Sequence, residues 1–311
     1  MFDMHLRLED LPNEIILEVL VYFDIPHLHQ SFWGLNQRFN TLLQTLKNLS
    51  LIIEKDESSL IEIFSRQIAH LKIDTSKSID FTPLFNLRSL ELCQANGFQL
   101  EQIRAEHMPN LTNLIIQTRF YILLPSEILR EIFSSAFQYL HQATLNRLDA
   151  FPISTKFQSF SLHTLHVTCS HPNVIIQLLS ACPNLSCFHI TFFGQNHHIL
   201  PPSSPNYDHP LEKFTLDDPY HRLSHDTIQI LLLYIPNVKY LFLKCRCRVP
   251  FISLMENIFQ KLEKLEQFEC DILESPNDQM VNVEVIQQLN ECLYNLECIK
   301  QNDGSRLFLL E

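Results

Sequence analysis

Apolar residues recur along most of the chain in one fixed pattern. An apolar residue is followed by two variable positions, a second apolar residue, one variable position and a third apolar residue. The clearest copies are MPNLTNLII (residues 108–116), CPNLSCFHI (182–190) and IPNVKYLFL (235–243). First positions of the pattern fall at 87, 111, 140, 162, 185, 211, 238 and 265, with a later trace at Leu293-Leu296-Cys298. A period of roughly 20 to 30 residues predicts a stack of similar units.

The stretches between these copies have apolar residues at helical spacing, as in PSEILREIFSSAF (125–137) and PFISLMENIFQKL (250–262). One strand and one helix cannot bury their own apolar face, but a stack of such units can. The chain therefore resembles the leucine-rich-repeat family, which implies parallel strands on a concave side and helices on a convex side. The family's Asn or Cys after the last apolar position is replaced by residues such as Phe193 and Arg246. We therefore expect an irregular arc without a regular asparagine ladder.

The first 50 residues have a different pattern, with three helix-sized segments. Pro12 and Pro26 are placed to open two helices, and Asn36 is placed to cap a third. The first segment has more large apolar residues than one helix face can hold. Three short helices bury little surface, so we expect the surplus to be covered by a partner, by the remaining chain, or by both.

Residues 8 to 46 resemble the F-box motif. The resemblance rests on Leu11-Pro12-x-Glu14-Ile15, on Arg38-Phe39 near the end, and on the apolar residues Leu20, Phe23, Leu28, Leu35 and Leu42. Gly34 and Asn36 depart from the family pattern. The resemblance implies docking on the Skp adaptor of a Skp–cullin–F-box ubiquitin ligase. The residues expected at this interface or in support of it are Leu11, Pro12, Ile15, Ile16, Leu20, Phe23 and Trp33. The alternative is that these helices only cap the N-terminal end of the repeats.

The predicted fold is α/β, with an N-terminal three-helix F-box domain (1–50) followed by an irregular leucine-rich-repeat-type α/β solenoid (51–311). The two resemblances together imply a substrate-recognition adaptor of a ubiquitin ligase, which holds a protein substrate on the repeats and has no catalytic residue of its own. A protein-interaction scaffold without any role in ubiquitin transfer is the alternative.

Variable positions of neighbouring repeats are expected to form rows on the strand face, because side chains alternate along a strand. One row contains His166, His189 and Phe242, and the next contains Cys187, Lys213 and Tyr240. We expect these six residues to bind the substrate. If the two histidines are lateral neighbours, partner binding should change below about pH 6.5.

Composition narrows the possible partners. The formal net charge is −12, and the densest basic stretch, residues 244–248, is short and interrupted by cysteines, so we expect no nucleic-acid partner. The chain has no uninterrupted run of about 18 apolar residues, so we expect no membrane-spanning helix. The N-terminus lacks a signal-peptide pattern and the nine cysteines are scattered. These features favour a reduced protein in the cytoplasm or nucleus.

Residue types found in catalytic and metal sites are present, but they lack the spacing that such sites usually have. Four glycines are too few for phosphate-binding loops, and Cys245-x-Cys247 lacks zinc-knuckle spacing. A nucleophilic pair of Cys187 and His166 is conceivable across neighbouring strands, yet on an open face it would lack a water-excluding pocket. We therefore expect no cofactor, no metal and no enzymatic activity.

Overall fold

The computed structural model describes residues 8–54, 57–118, 123–148, 157–194, 209–276 and 281–310. The chain divides into two compact units. The first comprises residues 1–122 with Phe137–Leu140, and the second comprises Leu123–Ala136 with His141–Glu311. The predicted boundary at residue 50 lies inside the first unit, because the N-terminal helices and the first four strands belong to the same unit.

Three helices open the first unit, and their capping residues explain where they begin. They are α1 (Asn13–Leu20), α2 (Ile25–Phe32) and α3 (Gln37–Thr45), after a 3-10 turn at Leu8–Asp10. The Asp24 side chain accepts a hydrogen bond from the His27 amide (2.9 Å), and Asn36 accepts one from the Phe39 amide (3.0 Å). Pro26 lies in the first turn of α2, as predicted.

Two details differ from the sequence-based expectation for these helices. Pro12 occupies the cap position of α1, one residue before the first helical position. Gly34 does not interrupt the second helix, because α2 ends at Phe32 and Gly34 follows with a φ of 81°. In this left-handed conformation glycine is favoured, so the residue turns the chain toward α3.

Arg38 links the two ends of the helical segment. Its guanidinium donates to the Asn13 Oδ1 (2.8 Å) and to the backbone carbonyls of Glu9 (2.5 Å) and Leu11 (2.6 Å). The next residue, Phe39, is fully buried. The Leu-Pro start and the Arg-Phe pair of the motif are therefore in contact, although 27 residues separate Leu11 from Arg38.

The first unit continues with four parallel strands. They are β1 (Leu49–Ile53), β2 (Ile68–Ile73), β3 (Ser89–Ala95) and β4 (Asn113–Thr118), with α4 (Ser59–Phe64) and α5 (Gly97–Glu101) between them. The three apolar positions of each repeat point into the core, as at Leu87, Leu90 and Leu92, which are fully buried. Helix α5 was not predicted; a capping box between Asn96 and Gln99 fixes its start.

The second unit repeats the same alternation. Its parallel strands are β5 (Gln142–Leu148), β6 (Thr164–Cys169), β7 (Cys187–Phe192), β8 (Lys213–Asp217), β9 (Tyr240–Cys247) and β10 (Gln267–Glu274). Its helices are α6 (Ser126–Ile132), α7 (Pro172–Ala181), α8 (His225–Leu232), α9 (Phe251–Lys261) and α10 (Val283–Gln287), with a 3-10 turn at Glu291–Leu293. The α/β repeat architecture predicted from the sequence is confirmed in each unit.

The C-terminal end of the sheet departs from the repeat. Strand β12 (Arg306–Leu310) pairs antiparallel with β10, and β11 (Glu297–Lys300) pairs antiparallel with β12. The trace at Leu293-Leu296-Cys298 was therefore wrongly interpreted as a further parallel repeat. The short apolar segment RLFLL occupies the place next to β10 instead.

An asparagine ladder exists in a position that the sequence analysis did not consider. The asparagine just before the first apolar position donates its Nδ2 to a backbone carbonyl of the preceding repeat. The pairs are Asn86 to Arg66 (2.8 Å), Asn110 to Phe85 (3.1 Å), Asn184 to Phe160 (2.8 Å) and Asn237 to His209 (3.0 Å). The asparagine before the first apolar position, which follows a proline in three of these four cases, thus contributes hydrogen bonds between repeats. The series is interrupted, because Tyr139, Ser161, Pro210 and Lys264 stand at the same place in other repeats, as an irregular arrangement requires.

A buried ion pair holds the antiparallel end of the second unit. Glu274 Oε2 accepts from Arg306 Nε (2.6 Å), and Glu274 Oε1 accepts from the amide of Phe251 at the start of α9 (2.8 Å). Both charged side chains are almost completely buried. The ring of Phe308, from the same strand as Arg306, stacks on the Phe251 ring with 4.0 Å between centroids. These contacts hold strand β12 against both β10 and α9.

We expect Glu274→Gln to lower the free energy of unfolding by about 3 to 5 kcal/mol, because it leaves the Arg306 charge buried without a counter-charge. Urea titration followed by circular dichroism measures this loss. The matched control is Glu212→Gln, which breaks the exposed Glu212–Lys239 pair (2.7 Å) and should leave the unfolding midpoint unchanged. Equal effects of the two variants would contradict the structural role of the buried pair.

Candidate interaction surfaces

The N-terminal helices expose several large apolar side chains. We call the following six residues the helical surface: Ile15 (43% exposed), Val19 (39%), Val21 (59%), Tyr22 (88%), Phe23 (38%) and Leu35 (56%). Soluble proteins expose single apolar residues routinely, but six within 21 residues are a concentration that points to a covered surface.

The residues predicted for adaptor docking fall into three groups. Pro12, Ile15 and Phe23 are exposed, and Leu11 and Trp33 are half-buried. Ile16 and Leu20 are each 1% exposed, so they pack inside the helices and support the surface without forming part of it. The Trp33 ring packs against Phe64, with 5.7 Å between centroids. Val19, Tyr22 and Leu35 were not among the residues predicted for docking, although their apolar character was visible in the sequence.

The second unit has a strand face whose rows follow the predicted register. Cys187 pairs with Lys213, and Lys213 pairs with Tyr240 on successive strands. In the next row, His166 pairs with His189, and Phe242 follows through Thr215. Strands β6, β7 and β9 alternate between buried and partly exposed residues, which confirms the predicted strand phase there. Strand β8 departs from it, because Thr215 is buried. We call these two rows, together with a third row formed by Asp217, Lys244 and Asp271, the strand face.

The two histidines of the strand face stack on each other. The ring centroids of His166 and His189 lie 5.1 Å apart. Burial lowers the pKa of His166, and the nearby His189 and Lys213 lower it further. Burial also lowers the pKa of His189. The negative charge of Asp217 acts against this shift, and the positive charge of Lys213 adds to it. The charge change of this pair therefore lies below the ordinary value of 6.5.

The sign of the stability effect follows from these directions. Between the lowered pKa values and 6.5, the unfolded chain binds more protons than the folded chain. The contribution of the pair to the free energy of unfolding therefore falls as the pH decreases through this window. An effect on partner binding is expected in the same window, at lower pH than the sequence alone suggested.

Tyr240 is held in place by its neighbours in the strand face. Lys213 Nζ lies 4.2 Å from the centroid of the Tyr240 ring, a cation–π geometry. The Tyr240 hydroxyl donates to Glu269 Oε2 (2.5 Å). Burial and this carboxylate raise the pKa of Tyr240 to about 12. The ring is therefore preorganised, which lowers the entropy that a partner must overcome on binding.

A third row adds charge to the strand face, and the sequence analysis did not include it. Asp217 pairs with Lys244, and Lys244 pairs with Asp271 across β8, β9 and β10. Lys244 Nζ and Asp271 Oδ2 form an ion pair at 2.7 Å. The row lies two residues beyond Thr215, Phe242 and Glu269, so continuing the strand alternation by one step would have identified it.

Cys187 does not have the properties of an activated nucleophile. Burial raises the pKa of its thiol, and the opposing effect of Lys213 is smaller. A reactive cysteine requires a lowered pKa.

Among the described residues, no group of three or more His, Cys, Asp or Glu side chains is placed to hold a metal ion. The helices in the same described ranges are also all too short or too polar to cross a bilayer.

Comparison with solved structures finds chains of similar fold, one of which is described here. No family model matches the chain, and no curated protein matches it. A crystal structure of TLR13 in complex with ssRNA13 is similar, with a TM-score of 0.47 and 17% sequence identity. The similarity covers 82% of this chain and 36% of that chain. It is a distant likeness in fold, and no family membership follows from it.

Proposed function

We propose that this protein is a non-catalytic substrate receptor of a Skp–cullin–F-box ubiquitin ligase. The helical surface would dock on the Skp-type adaptor, and the strand face would hold a protein substrate. The observation that carries the proposal is the concentration of exposed apolar side chains on helices whose motif ends are joined by Arg38. The leucine-rich-repeat-type fold supports the coarser role, protein interaction.

The hydrophobic effect gives the helical surface a reason to bind. Fully burying one large apolar side chain is worth about 1.5 to 3 kcal/mol relative to leaving it in water. Tyr22 is 88% exposed, so almost none of this free energy is gained in the isolated chain. Aromatic side chains of this kind are frequent anchors in protein interfaces. Binding of an adaptor that covers Tyr22 together with Ile15 and Phe23 would gain this free energy of burial.

The proposed mechanism uses proximity alone. A substrate held on the strand face is tethered to the machinery that carries activated ubiquitin, so a bimolecular encounter becomes a local one. In this scheme the chain contributes binding and no reacting group. The strand face suits a partner with both apolar and charged groups, because Phe242 and the Lys244–Asp271 pair lie on the same face.

An interaction scaffold that never engages a ligase remains the second candidate. The same strand face would serve it, and the helical surface would then be covered by a different partner. Binding to a purified Skp-type adaptor distinguishes the two functions.

We expect Ile15→Ser combined with Tyr22→Ser to weaken binding to a purified Skp-type adaptor by about tenfold or more, because both side chains are exposed and apolar. Biolayer interferometry measures the affinity. Ile52→Ser combined with Tyr139→Ser is the matched control, since these residues are also exposed (52% and 53%) but lie outside the helices. Unchanged affinity in the first variant would mean that the helices only cap the repeats, and no binding by the wild type would favour the scaffold.

For the strand face, we expect Tyr240→Ser combined with Phe242→Ser to abolish substrate capture while adaptor binding and the unfolding midpoint stay close to wild type. Quantitative co-purification compares this variant with Tyr294→Ser combined with Phe98→Ser, which removes exposed aromatic residues from other elements. Substrates retained by the control and lost by the test variant would identify the strand face. Loss of folding in the test variant would show that the two side chains belong to the core.

A further inference from the structure

The first unit contains a polar cavity that the proposed function does not use. Its volume is about 580 Å³, within the range of small-molecule sites. It is formed where α3 ends and where β1 to β4 begin. Its walls therefore come from consecutive repeats at one edge of the unit's sheet.

The charges around this cavity are all positive. Lys47, Arg66 and Arg88 line it, and no Asp or Glu does. This is unusual in a chain whose net charge is −12. None of the three cations forms an ion pair with a carboxylate in the described ranges. A concave site lined by one sign of charge concentrates ions of the opposite sign.

The remaining lining is rich in amide side chains. Gln44, Asn48, Gln67, Asn86 and Asn110 contribute, and no aromatic residue does. Gln67 Nε2 donates to the Gln44 carbonyl (3.0 Å), but its buried Oε1 has no hydrogen-bond partner. Gln44, Asn48, Asn86 and Asn110 are exposed and offer amide groups that can form hydrogen bonds with the hydroxyl groups of a ligand, whereas Gln67 is buried in the wall.

The walls are held in place before any ligand binds. Asn86 and Asn110 donate to backbone carbonyls of the preceding repeats, as part of the asparagine ladder. The Leu49 amide donates to the Gln67 carbonyl (2.9 Å). Binding would therefore require little ordering of the backbone, which favours affinity.

We propose that this cavity binds a small phosphorylated compound with several hydroxyl groups, of the sugar-phosphate class. Arg66, Arg88 and Lys47 bind the phosphate groups, since guanidinium groups pair well with phosphate oxygens. The amide side chains bind the hydroxyl groups. The absence of an aromatic side chain from the lining disfavours a nucleotide, whose base needs a stacking partner. This inference does not depend on adaptor docking.

The test uses the full chain and fructose 1,6-bisphosphate as the probe, with fructose and inorganic phosphate in parallel. Isothermal titration calorimetry at low and physiological salt measures the affinities. We expect the bisphosphate to bind, inorganic phosphate to bind at least about tenfold more weakly, and fructose not to bind. Arg66→Gln combined with Arg88→Gln should weaken bisphosphate binding by about tenfold or more, because two charge-assisted contacts are lost.

The matched control is Arg248→Gln combined with Lys300→Gln, which removes two exposed cations from the second unit. This control should bind like wild type. Equal binding of fructose 1,6-bisphosphate to both double variants would overturn the assignment, as would the absence of binding to the wild type. Binding of a phosphoserine peptide in preference to the sugar bisphosphate would overturn the ligand class. Because none of these readouts involves the adaptor, they are independent of the test of docking.

Discussion

The structure depends on the burial of apolar residues between neighbouring repeats. A strand and a helix of about 25 residues cannot cover their own apolar side chains, so each repeat is completed by the next. This constraint fixes the parallel register, because the same three positions must point inward on every strand. Leu165 of β6, Phe188 of β7 and Phe214 of β8 follow this rule: they are aligned across the sheet and buried. The asparagine ladder adds hydrogen bonds at the same spacing.

The same constraint determines which residues remain for binding. Once every second side chain of a strand is committed to the core, the others form rows at the surface whose chemistry is not fixed by the packing of the core. The stacked histidines, the Lys213–Tyr240–Glu269 cluster and the Lys244–Asp271 pair occupy such positions. The N-terminal helices have the opposite character, because several of their apolar side chains have no covering layer within the first unit.

Much of the fold could be predicted from the sequence, since the repeat period and strand alternation are physical consequences of stacking. The strand phase and the rows were predicted from the apolar positions alone. The end of the sheet was not, because RLFLL is too short to distinguish a parallel from an antiparallel strand, and the buried Glu274–Arg306 pair joins residues 32 positions apart. The cavity was also missed: Lys47, Arg66 and Arg88 are far apart in sequence, and only the fold brings them to one edge.

The candidate docking residues were likewise predicted only in part from the sequence. Ile15, Ile16, Leu20 and Phe23 were predicted alike to form or support the docking surface, but only Ile15 and Phe23 are exposed, while Ile16 and Leu20 are in the core. A helix that is apolar on most sides does not reveal which side faces its own neighbours. Arg38 was noted only as part of the motif. Its contacts with Glu9, Leu11 and Asn13 supply a physical reason for that spacing.

The proposed docking brings a Skp-type adaptor onto the helical surface. Hydrogen–deuterium exchange of the full chain, measured alone and with a purified Skp-type adaptor, tests it directly. The account predicts slower exchange in residues 8 to 46 upon adaptor binding, with unchanged exchange in strands β6 to β9 of the second unit. Unchanged exchange in residues 8 to 46, or protection confined to the strand face, would contradict it.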